Sequence, residues 1–333
     1  MRLRHDTTGG SRIRGGRLAA VGVATAVVAF SGVMAVHAQS TSRSRAAISR
    51  PAISRRAPAS SPAVVTSSVT AAEAPTVSCS GPDGAGYWEV GSDGGVFTFG
   101  TSGFYGSTGG VRLNKPVVGI APSVDGRGYF LVAADGGVFA FGDGPFRGST
   151  GGITLDKPVV GMAATVDGQG YWLVASDGGV FTFGDGSFYG SLGDIHLDAP
   201  IVGMAATKDG RGYWLVASDG GVFTFGDAPF YGSLGDIHLN KPIVGISATR
   251  NGNGYVLTAA DGGVFNFGAS HFYGSTGNVH LVQPVVGVAG TFPGNGYTLS
   301  ASDGGIFNFG DSTFCGSTGG VKLNAPVVGM AFF

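Results

Sequence analysis

Charged residues are scarce in this sequence and unevenly placed. Only 12% of the 333 residues are Asp, Glu, Lys or Arg, and glutamate occurs only at Glu73 and Glu89. Residues 1–76 carry a formal charge of +8, whereas residues 77–333 carry −9 and contain no basic run. Nucleic-acid binding needs clustered Lys and Arg that neutralise phosphates. The acidic part of the chain is therefore not expected to bind nucleic acid.

Catalytic and cofactor motifs are also missing. The two cysteines, Cys79 and Cys315, are too few for a Cys-based metal site and lack the neighbours of a nucleophilic thiol. There is no nucleophile elbow and no Gly-rich loop that precedes a helix. Acid–base catalysis needs carboxylates in distinct environments, and here they are repeated turn residues. We expect no catalytic residue, no metal and no cofactor, and a chain that is not an enzyme.

Glycine and apolar residues make up most of the chain instead. Glycine supplies 63 residues, and hydrophobic residues supply 43% of the sequence. The glycines lie in turns between short runs of Val, Phe and Tyr. This arrangement predicts an all-β protein.

The first 76 residues have a different composition. Several Arg precede an apolar run at 18–38, and Val36-His37-Ala38 fits a small-residue cleavage site, as in a secretory signal peptide. The run is also long enough to span a bilayer, so a cleaved signal and an uncleaved anchor both remain open for residues 1–38. Either way the rest would be secreted or held at the outer face of the membrane, with membrane contact only through this segment. Residues 39–76 are rich in Ser, Ala and Pro and predict a flexible linker or stalk.

Residues 77–333 contain six copies of a 42-residue repeat without insertion or deletion. The phrase SDGGVFTFG and its near copies occur at Ser92–Gly100, Ala134–Gly142, Ser176–Gly184, Ser218–Gly226, Ala260–Gly268 and Ser302–Gly310. A tyrosine leads each copy, at Tyr87, Tyr129, Tyr171, Tyr213, Tyr255 and Tyr297.

One copy predicts four short strands. YWLVAS from Tyr171 is the first, and GVFTFG returns after Asp177-Gly178, which favours a type I′ hairpin. FYGS at Phe188 is the third, and PIVGMAAT at Pro200 is the fourth. Four strands in 42 residues are typical of a propeller blade, so the repeats predict a six-bladed β-propeller. An open β-solenoid is disfavoured because it would leave its terminal faces uncovered.

The two ends of the repeat region are expected to meet. The strand PVVGMAFF at Pro326–Phe333 should pair with the strand at Tyr87, with TVSCSG before Tyr87 as the competing partner. First and last blades are neighbours in a closed ring, so a Cys79–Cys315 disulfide would fasten it. Two free thiols, or pairing with another molecule, are the alternatives.

The repeat also resembles a known group. DGGVFTFGDAPFYGS at Asp219–Ser233 is similar to the unit of exported actinobacterial proteins with tandem DGGVFxFG and FYGS motifs. The resemblance covers about Thr76 to Phe333. It implies an extracellular, propeller-like repeat module.

Two rows of equivalent residues are candidates for ligand contact, because loops at propeller rims carry recognition. The first row lies in the Asp-Gly-x-Gly turns and comprises Arg127, Gln169, Arg211, Asn253 and Asn295. The second follows a Phe at a turn and comprises Tyr105, Arg147, Tyr189, Tyr231 and Tyr273.

Other repeated residues are interpreted as structural. For the Asp of each Asp-Gly-Gly, a role in the turn is favoured over calcium binding. For Trp88, Trp172 and Trp214, packing in the core is favoured over stacking on a sugar. His196, His238 and His280 share one position, but the other three copies lack His, so solvated residues are favoured over zinc ligands.

These observations favour a non-catalytic recognition module that binds an extracellular glycan, a cell-wall polymer or a protein. A structural or adhesion element without a discrete pocket is the alternative. An enzyme would require unlike neighbouring carboxylates or His in the axial channel.

Overall fold

The computed structural model of the chain describes Cys79, residues 86–291 and residues 294–333. The predicted signal or anchor segment and the linker, residues 1–76, lie outside the described residues. All regular structure in the described part is β-strand, arranged in six three-stranded antiparallel sheets. No helix in this part is long and apolar enough to cross a membrane.

Each sheet has an inner, a central and an outer strand. The inner strands are β3 (Val117–Pro122), β6 (Val159–Ala164), β9 (Ile201–Ala206), β12 (Ile243–Ala248), β15 (Val285–Gly290) and β18 (Val327–Phe332). The central strands are β1 (Tyr87–Gly91), β4 (Gly128–Ala133), β7 (Gly170–Ala175), β10 (Gly212–Ala217), β13 (Gly254–Ala259) and β16 (Gly296–Ala301). The outer strands are β2 (Val96–Phe99), β5 (Val138–Gly142), β8 (Val180–Gly184), β11 (Val222–Gly226), β14 (Val264–Gly268) and β17 (Ile306–Gly310).

The sheets are the blades of a closed six-bladed β-propeller. Blade one contains β18, β1 and β2, and blades two to six are the consecutive triplets from β3 to β17. Each inner strand contacts the next, and β18 contacts both β15 and β3, so the inner strands form a complete ring. The predicted six-bladed propeller is confirmed, and a solenoid is excluded because its two ends would not touch.

The predicted closure of the ring is also confirmed. β18 pairs with β1 in antiparallel register, with Tyr87 opposite Phe332. Cys79 and Cys315 form a disulfide with their Cα atoms 5.1 Å apart, which lies in the usual range for such bonds. The disulfide ties the segment before β1 to a loop of blade six.

The prediction of four strands per blade is wrong, because the FYGS segments are not strands. Each of them crosses to the following blade and packs against its aromatic side chains. The backbone of Gly190 lies on the ring of Phe225, and a Cβ on this glycine would be 2.6 Å from the Phe225 Cδ1 atom. FYGS is therefore a connection between blades, and only glycine fits at its third position.

The leading tyrosine of each repeat completes this connection. The Tyr213 hydroxyl donates to the Gly190 carbonyl at 2.6 Å and accepts a hydrogen bond from the Tyr189 N–H at 3.2 Å. We call this arrangement the tyrosine clamp. The hydroxyl-to-carbonyl bond recurs in all six interfaces, as Tyr87–Gly316, Tyr129–Gly106, Tyr171–Gly148, Tyr213–Gly190, Tyr255–Gly232 and Tyr297–Gly274.

The hairpin between central and outer strands differs from the expected type I′ turn. Gly178 donates to the Ala175 carbonyl, and the Ala175 N–H donates to the Gly179 carbonyl, so the loop encloses three residues instead of two. Gly178 has φ of 81°, and the Asp177 carboxylate accepts the Gly179 N–H at 2.9 Å. A three-residue loop needs one positive φ, which the glycine supplies.

The hydrophobic core consists of layers between neighbouring blades. Trp214 and Val216 of blade four pack against Tyr255 and Leu257 of blade five. All residues of β10 are buried, because neighbouring sheets cover both of its faces. Equivalent layers lie at the other five interfaces.

We expect Tyr213→Phe to destabilise the propeller by about 1–2 kcal/mol, because the Gly190 carbonyl and Tyr189 N–H lose their partner inside the interface. Chemical denaturation measures the change. Tyr189→Phe is the matched control, since its hydroxyl makes a single hydrogen bond, to Gly210, on a half-buried side chain. Equal effects of the two changes would contradict the clamp.

Candidate functional site

One face of the ring carries both rows of residues that the sequence singled out. The Asp-Gly-x-Gly turns join inner to central strands, and the FYGS loops follow the outer strands at the same end of the sheets. The Tyr105 hydroxyl donates to the Gly126 carbonyl of the next turn at 3.1 Å. We call this side the turn face and the side with the Asp-Gly-Gly hairpins the hairpin face.

The structure brings the two predicted rows together across the blade interfaces. The Tyr189 and Tyr231 hydroxyls each donate to the carbonyl of the glycine that precedes the turn residue of the next blade, at 3.0 Å. The neighbouring pairs are Tyr105 with Arg127, Arg147 with Gln169, Tyr189 with Arg211, Tyr231 with Asn253, and Tyr273 with Asn295.

The two rows differ in how they present their side chains. The five turn residues are exposed, whereas the four tyrosines are half-buried and three of them use their hydroxyls to bind the next turn. The turn row is therefore more accessible to a partner than the tyrosine row. A ligand-binding role for either row stays a prediction.

The most exposed aromatic residues are the phenylalanines that precede the second row. Their side chains are 46–62% exposed and form what we call the phenylalanine circle: Phe104, Phe146, Phe188, Phe230, Phe272 and Phe314. Sequence reasoning missed them because it treated FYGS as a strand. A signal was present, since this Phe occurs in all six copies while the next residue changes to Arg147 and Cys315.

The hairpin face has its own exposed apolar row, without aromatic residues. It consists of aliphatic side chains that are 56–62% exposed: Val111, Ile153, Ile195, Ile237, Val279 and Val321. These residues follow a backbone contact to the hairpin, as in the hydrogen bond from the Leu192 N–H to the Gly178 carbonyl.

The axial cavity has a volume of about 120 Å³ and is lined by Val, Ile, Met and Gly of the inner strands. The glycines let these strands approach closely, since a Cβ on Gly287 would lie 3.6 Å from the Gly329 Cα atom. None of the residues that line this cavity is titratable. They offer no acid, base or nucleophile for catalysis on the axis.

The remaining candidate residues have structural surroundings. Trp88, Trp172 and Trp214 are buried, and the Trp214 indole N–H donates to the Pro229 carbonyl at 2.8 Å. The hairpin aspartates accept turn N–H groups, and His196, His238 and His280 are exposed. In the part of the chain that the structure describes, no three His, Cys, Asp or Glu are grouped to hold a metal.

Pairs of carboxylates lie on the turn face of blades two to four. In blade three, the Thr165 hydroxyl lies 2.9 Å from Asp167 and 3.1 Å from Asp185. Burial and the neighbouring Asp167 raise the pKa of Asp185, whereas the Gln169 N–H and the Thr165 hydroxyl lower the pKa of Asp167. The other pairs are Asp125 with Asp143 and Asp209 with Asp227. The Arg127 side chain forms an ion pair with Asp125, so the negative charge of these pairs is partly compensated.

A cavity of about 210 Å³ lies on the turn face between blades five and six. It opens where Val256 replaces the Trp or Phe of blades one to four. Arg250, His271 and Asn295 are among the lining residues. Partial burial lowers the pKa of the Arg250 guanidinium, which stays charged at neutral pH.

A buried carboxyl group marks the interface between blades six and one. Glu89 is 0% exposed and replaces the leucine of the other five central strands. Its Oε2 atom accepts hydrogen bonds from the Thr318 N–H at 3.3 Å and the Thr318 hydroxyl at 3.0 Å. Among the described residues, Oε1 has no hydrogen-bond partner. Burial raises the pKa of Glu89 to about 7.

Glu89 also changes the backbone hydrogen bonds of the neighbouring loop in blade six. In the other blades the residue equivalent to Thr318 donates its N–H to a hairpin glycine, as Thr108 does to Gly94. In blade six the Gly319 N–H takes this role, with Gly304 as acceptor, and Thr318 turns to the carboxyl group. The substitution is thus accommodated by a one-residue shift in the loop.

Comparison with known proteins gives limited information. No protein-family model matches the chain, and no curated protein matches it. Among solved structures, the chain is similar to the β-propeller domain of Cps50 (Swd1) from Myceliophteria thermophila, at 12% identity and a TM-score of 0.48. The match covers 74% of this chain and 82% of that domain. The fold assignment rests on the strand pairing described above.

Glu89 should make stability depend on pH. The pKa of Glu89 is about 7 in the folded chain against an ordinary value of 4.5. The contribution of the neutral carboxyl group to the free energy of unfolding is therefore fully present below pH 4.5 and is lost as pH rises through 7. The loss is about 3 kcal/mol. Because Gln imitates the neutral carboxyl group, Glu89→Gln should match the wild type at pH 4 and exceed its stability at pH 8.

Denaturation of both proteins at several pH values measures this difference. Asp303, whose charge also raises the pKa of Glu89, stays unchanged in both. A constant difference between pH 4 and pH 8 would show that Glu89 does not titrate in this range.

Proposed function

We propose that the chain is an exported, non-catalytic recognition module that binds a repetitive extracellular glycan or cell-wall polymer through its turn face. The phenylalanine circle is the observation that carries this proposal. It places one exposed aromatic side chain on every blade, and in five of the six loops the next residue belongs to the second candidate row. An exposed phenylalanine is thus repeated six times around the ring.

Exposed aromatic side chains in a repeated arrangement support contact with a partner. Scattered apolar residues on a surface need no explanation, but a repeated set on one face points to an interaction site. Aromatic rings offer a rigid apolar surface at low entropic cost. Six weak sites on one rigid ring would bind a repetitive polymer with much higher avidity than a single site.

The absence of a catalytic role is supported by the axial cavity, whose lining residues are apolar or glycine. Export is supported by the basic and apolar N-terminal segment, by the resemblance to exported repeat proteins, and by the disulfide. Disulfides persist mainly in oxidising compartments.

The aliphatic row on the hairpin face favours a second candidate, a structural surface element. In that case the propeller would pack against a neighbour through Val and Ile, without a discrete ligand. The two candidates differ in which face binds.

Replacing three residues of the phenylalanine circle distinguishes them. We expect the combined change Phe146→Ser, Phe188→Ser and Phe230→Ser to weaken sedimentation with isolated cell-envelope polymer at least tenfold, because avidity falls with each lost site. Thermal unfolding should change little, since these side chains are largely exposed.

The matched control replaces Ile153, Ile195 and Ile237 of the hairpin face by Ser. Binding should be retained by this control. Loss of binding in the control with retention in the phenylalanine variant would instead support the structural surface element.

A further inference from the structure

The cavity of about 210 Å³ between blades five and six exists because one large side chain is replaced there. Trp172 and Trp214 fill the equivalent position in blades three and four, whereas Val256 stands there in blade five. Sites for drug-sized ligands start at roughly 300 Å³. The cavity therefore suits one small molecule or one unit of a polymer, about the size of a single sugar residue.

A second substitution holds the loop beside the cavity in place. In blade four the Trp214 indole N–H donates to the Pro229 carbonyl of this loop at 2.8 Å. Val256 has no such donor, but its cross-strand partner Asn266 donates from Nδ2 to the equivalent carbonyl, that of His271, at 2.8 Å. The loop carbonyl is thus bonded in both blades, while only the volume of the indole is lost. This combination favours a cavity that the loop cannot collapse to fill.

The groups at the cavity do not carry charge of one sign. Asn251 and Ala269 stand where blades two to four have a pair of aspartates. Arg250 lines the cavity, and Asp311 accepts a hydrogen bond from the lining residue Thr291 at 2.7 Å. A cationic and an anionic group therefore both lie at this cavity, which favours a neutral ligand over an ion of either sign.

The Tyr273 hydroxyl differs from the other three tyrosine hydroxyls of its row. Tyr105, Tyr189 and Tyr231 each donate to a glycine carbonyl of the next turn. Among the residues that the structure describes, the Tyr273 hydroxyl has no hydrogen-bond partner, and Tyr273 lines the cavity. A phenolic hydroxyl can both donate and accept, as a sugar hydroxyl does. Tyr273 therefore offers a ligand a neutral group that the described fold does not use.

Asn251 adds a second neutral group to the lining. Its Oδ1 atom accepts hydrogen bonds from the Asn253 N–H at 3.0 Å and the Thr249 hydroxyl at 2.8 Å. Asp209 accepts the corresponding bonds from Arg211 and Thr207 in blade four. Asn251 therefore preserves the turn and has an NH₂ donor where the aspartate has its second oxygen.

An aromatic edge and an ordered floor complete the cavity. His271 and Tyr273 both line it, with their ring centroids 6.2 Å apart. Aromatic rings offer a rigid apolar surface, which suits the C–H face of a sugar ring. At the inner strands the Gly290 N–H donates to the Ser247 hydroxyl oxygen at 3.0 Å, a bond that the alanine of the other blades cannot form. Ordered walls reduce the entropy that is lost on binding.

We propose that this cavity binds one neutral sugar ring, with the sugar hydroxyls held by the Tyr273 hydroxyl and the Asn251 amide and an apolar face of the ring against His271. A few placed polar groups beside an apolar wall are typical of small-ligand sites. The inference deepens the proposed recognition function and rests on it: the sugar is a neutral unit of the polymer that the turn face binds. A free neutral sugar would present the same chemistry.

Isothermal titration of the full chain with neutral sugars tests the chemistry. Glucose, galactose and N-acetylglucosamine are the ring-shaped probes, and sorbitol is the open-chain control. We expect saturable binding of at least one ring, at least tenfold tighter than sorbitol and unchanged by added salt, because no net charge is involved. Equal binding of sorbitol, no binding of any ring, or strong weakening by salt would overturn the inference.

Filling the cavity locates the site. The double change Val256→Trp and Asn266→Thr rebuilds the Trp–Thr cross-strand pair of blades three and four. We expect it to abolish sugar binding, because the indole occupies the cavity, and to leave thermal unfolding no lower than in the wild type. Sugar binding that persists in this folded variant would show that the cavity is not the site.

Removal of one hydroxyl tests the contact itself. Tyr273→Phe should weaken sugar binding at least tenfold and leave thermal unfolding unchanged, because no described residue bonds to this hydroxyl. Tyr189→Phe is the matched control, since it removes the equivalent hydroxyl two blades away. The control should stay within twofold of the wild type. Equal losses in both variants, or no loss in Tyr273→Phe, would contradict the proposed contact.

Competition with the isolated cell-envelope polymer separates the two sources and the two proposals. Displacement of the chain by the sugar identifies a unit of the polymer as the ligand. Binding of the sugar without displacement identifies a free solute and overturns the link to the polymer. Envelope binding without any sugar binding would end this inference and leave the proposed function intact, whereas the reverse would end the proposed function and leave the cavity as a site.

Discussion

The tyrosine clamp is the contact on which the rest of the propeller depends. A single repeat has three strands whose central member is buried on both sides, so no blade has a complete core without its neighbours. The clamp fixes the spacing between blades by joining a hydroxyl of one to a loop carbonyl of the preceding one. The same loop carries the exposed phenylalanine, so the phenylalanine circle and the architecture depend on one set of contacts.

In two of the six interfaces between blades, smaller or polar side chains replace the apolar side chains of the other four. The interface between blades five and six has Val256 where blades one to four have Trp or Phe. The interface between blades six and one contains Glu89 where the other central strands have Leu, and Thr298 where blades one to four have Trp or Phe. The Thr298 hydroxyl contacts Ser312 and the Asn308 amide, so its burial is compensated. The other four interfaces keep Trp or Phe and Leu at these positions, and in quasi-repetitive folds the total stability is shared among the repeats and their interfaces.

The period of the sequence predicted the ring, its six blades and the pairing of its first and last strands, because equal spacing requires equivalent environments. The conformation of the FYGS segments could not be predicted from their residues. Phe and Tyr favour strands, but the partner of this segment is a tyrosine about two dozen residues further along, in another blade. Nor does the pair Phe188-Tyr189 reveal which ring faces outward. The Trp-to-Val256 change was visible, but only the structure shows the cavity that it opens.

The pairing of β1 with β18 has a consequence for biosynthesis. The first of the described strands to be synthesised receives its inner neighbour last, since Tyr87 lies opposite Phe332. Until then β1 keeps one unsatisfied edge, which is an aggregation hazard. While the chain is incomplete, a solvent-exposed Glu89 would keep its ordinary pKa and its charge, and a charge on an open strand opposes pairing with another chain. Burial in the finished ring then raises the pKa of Glu89 to about 7, so closing the ring shifts the carboxyl group toward its neutral form.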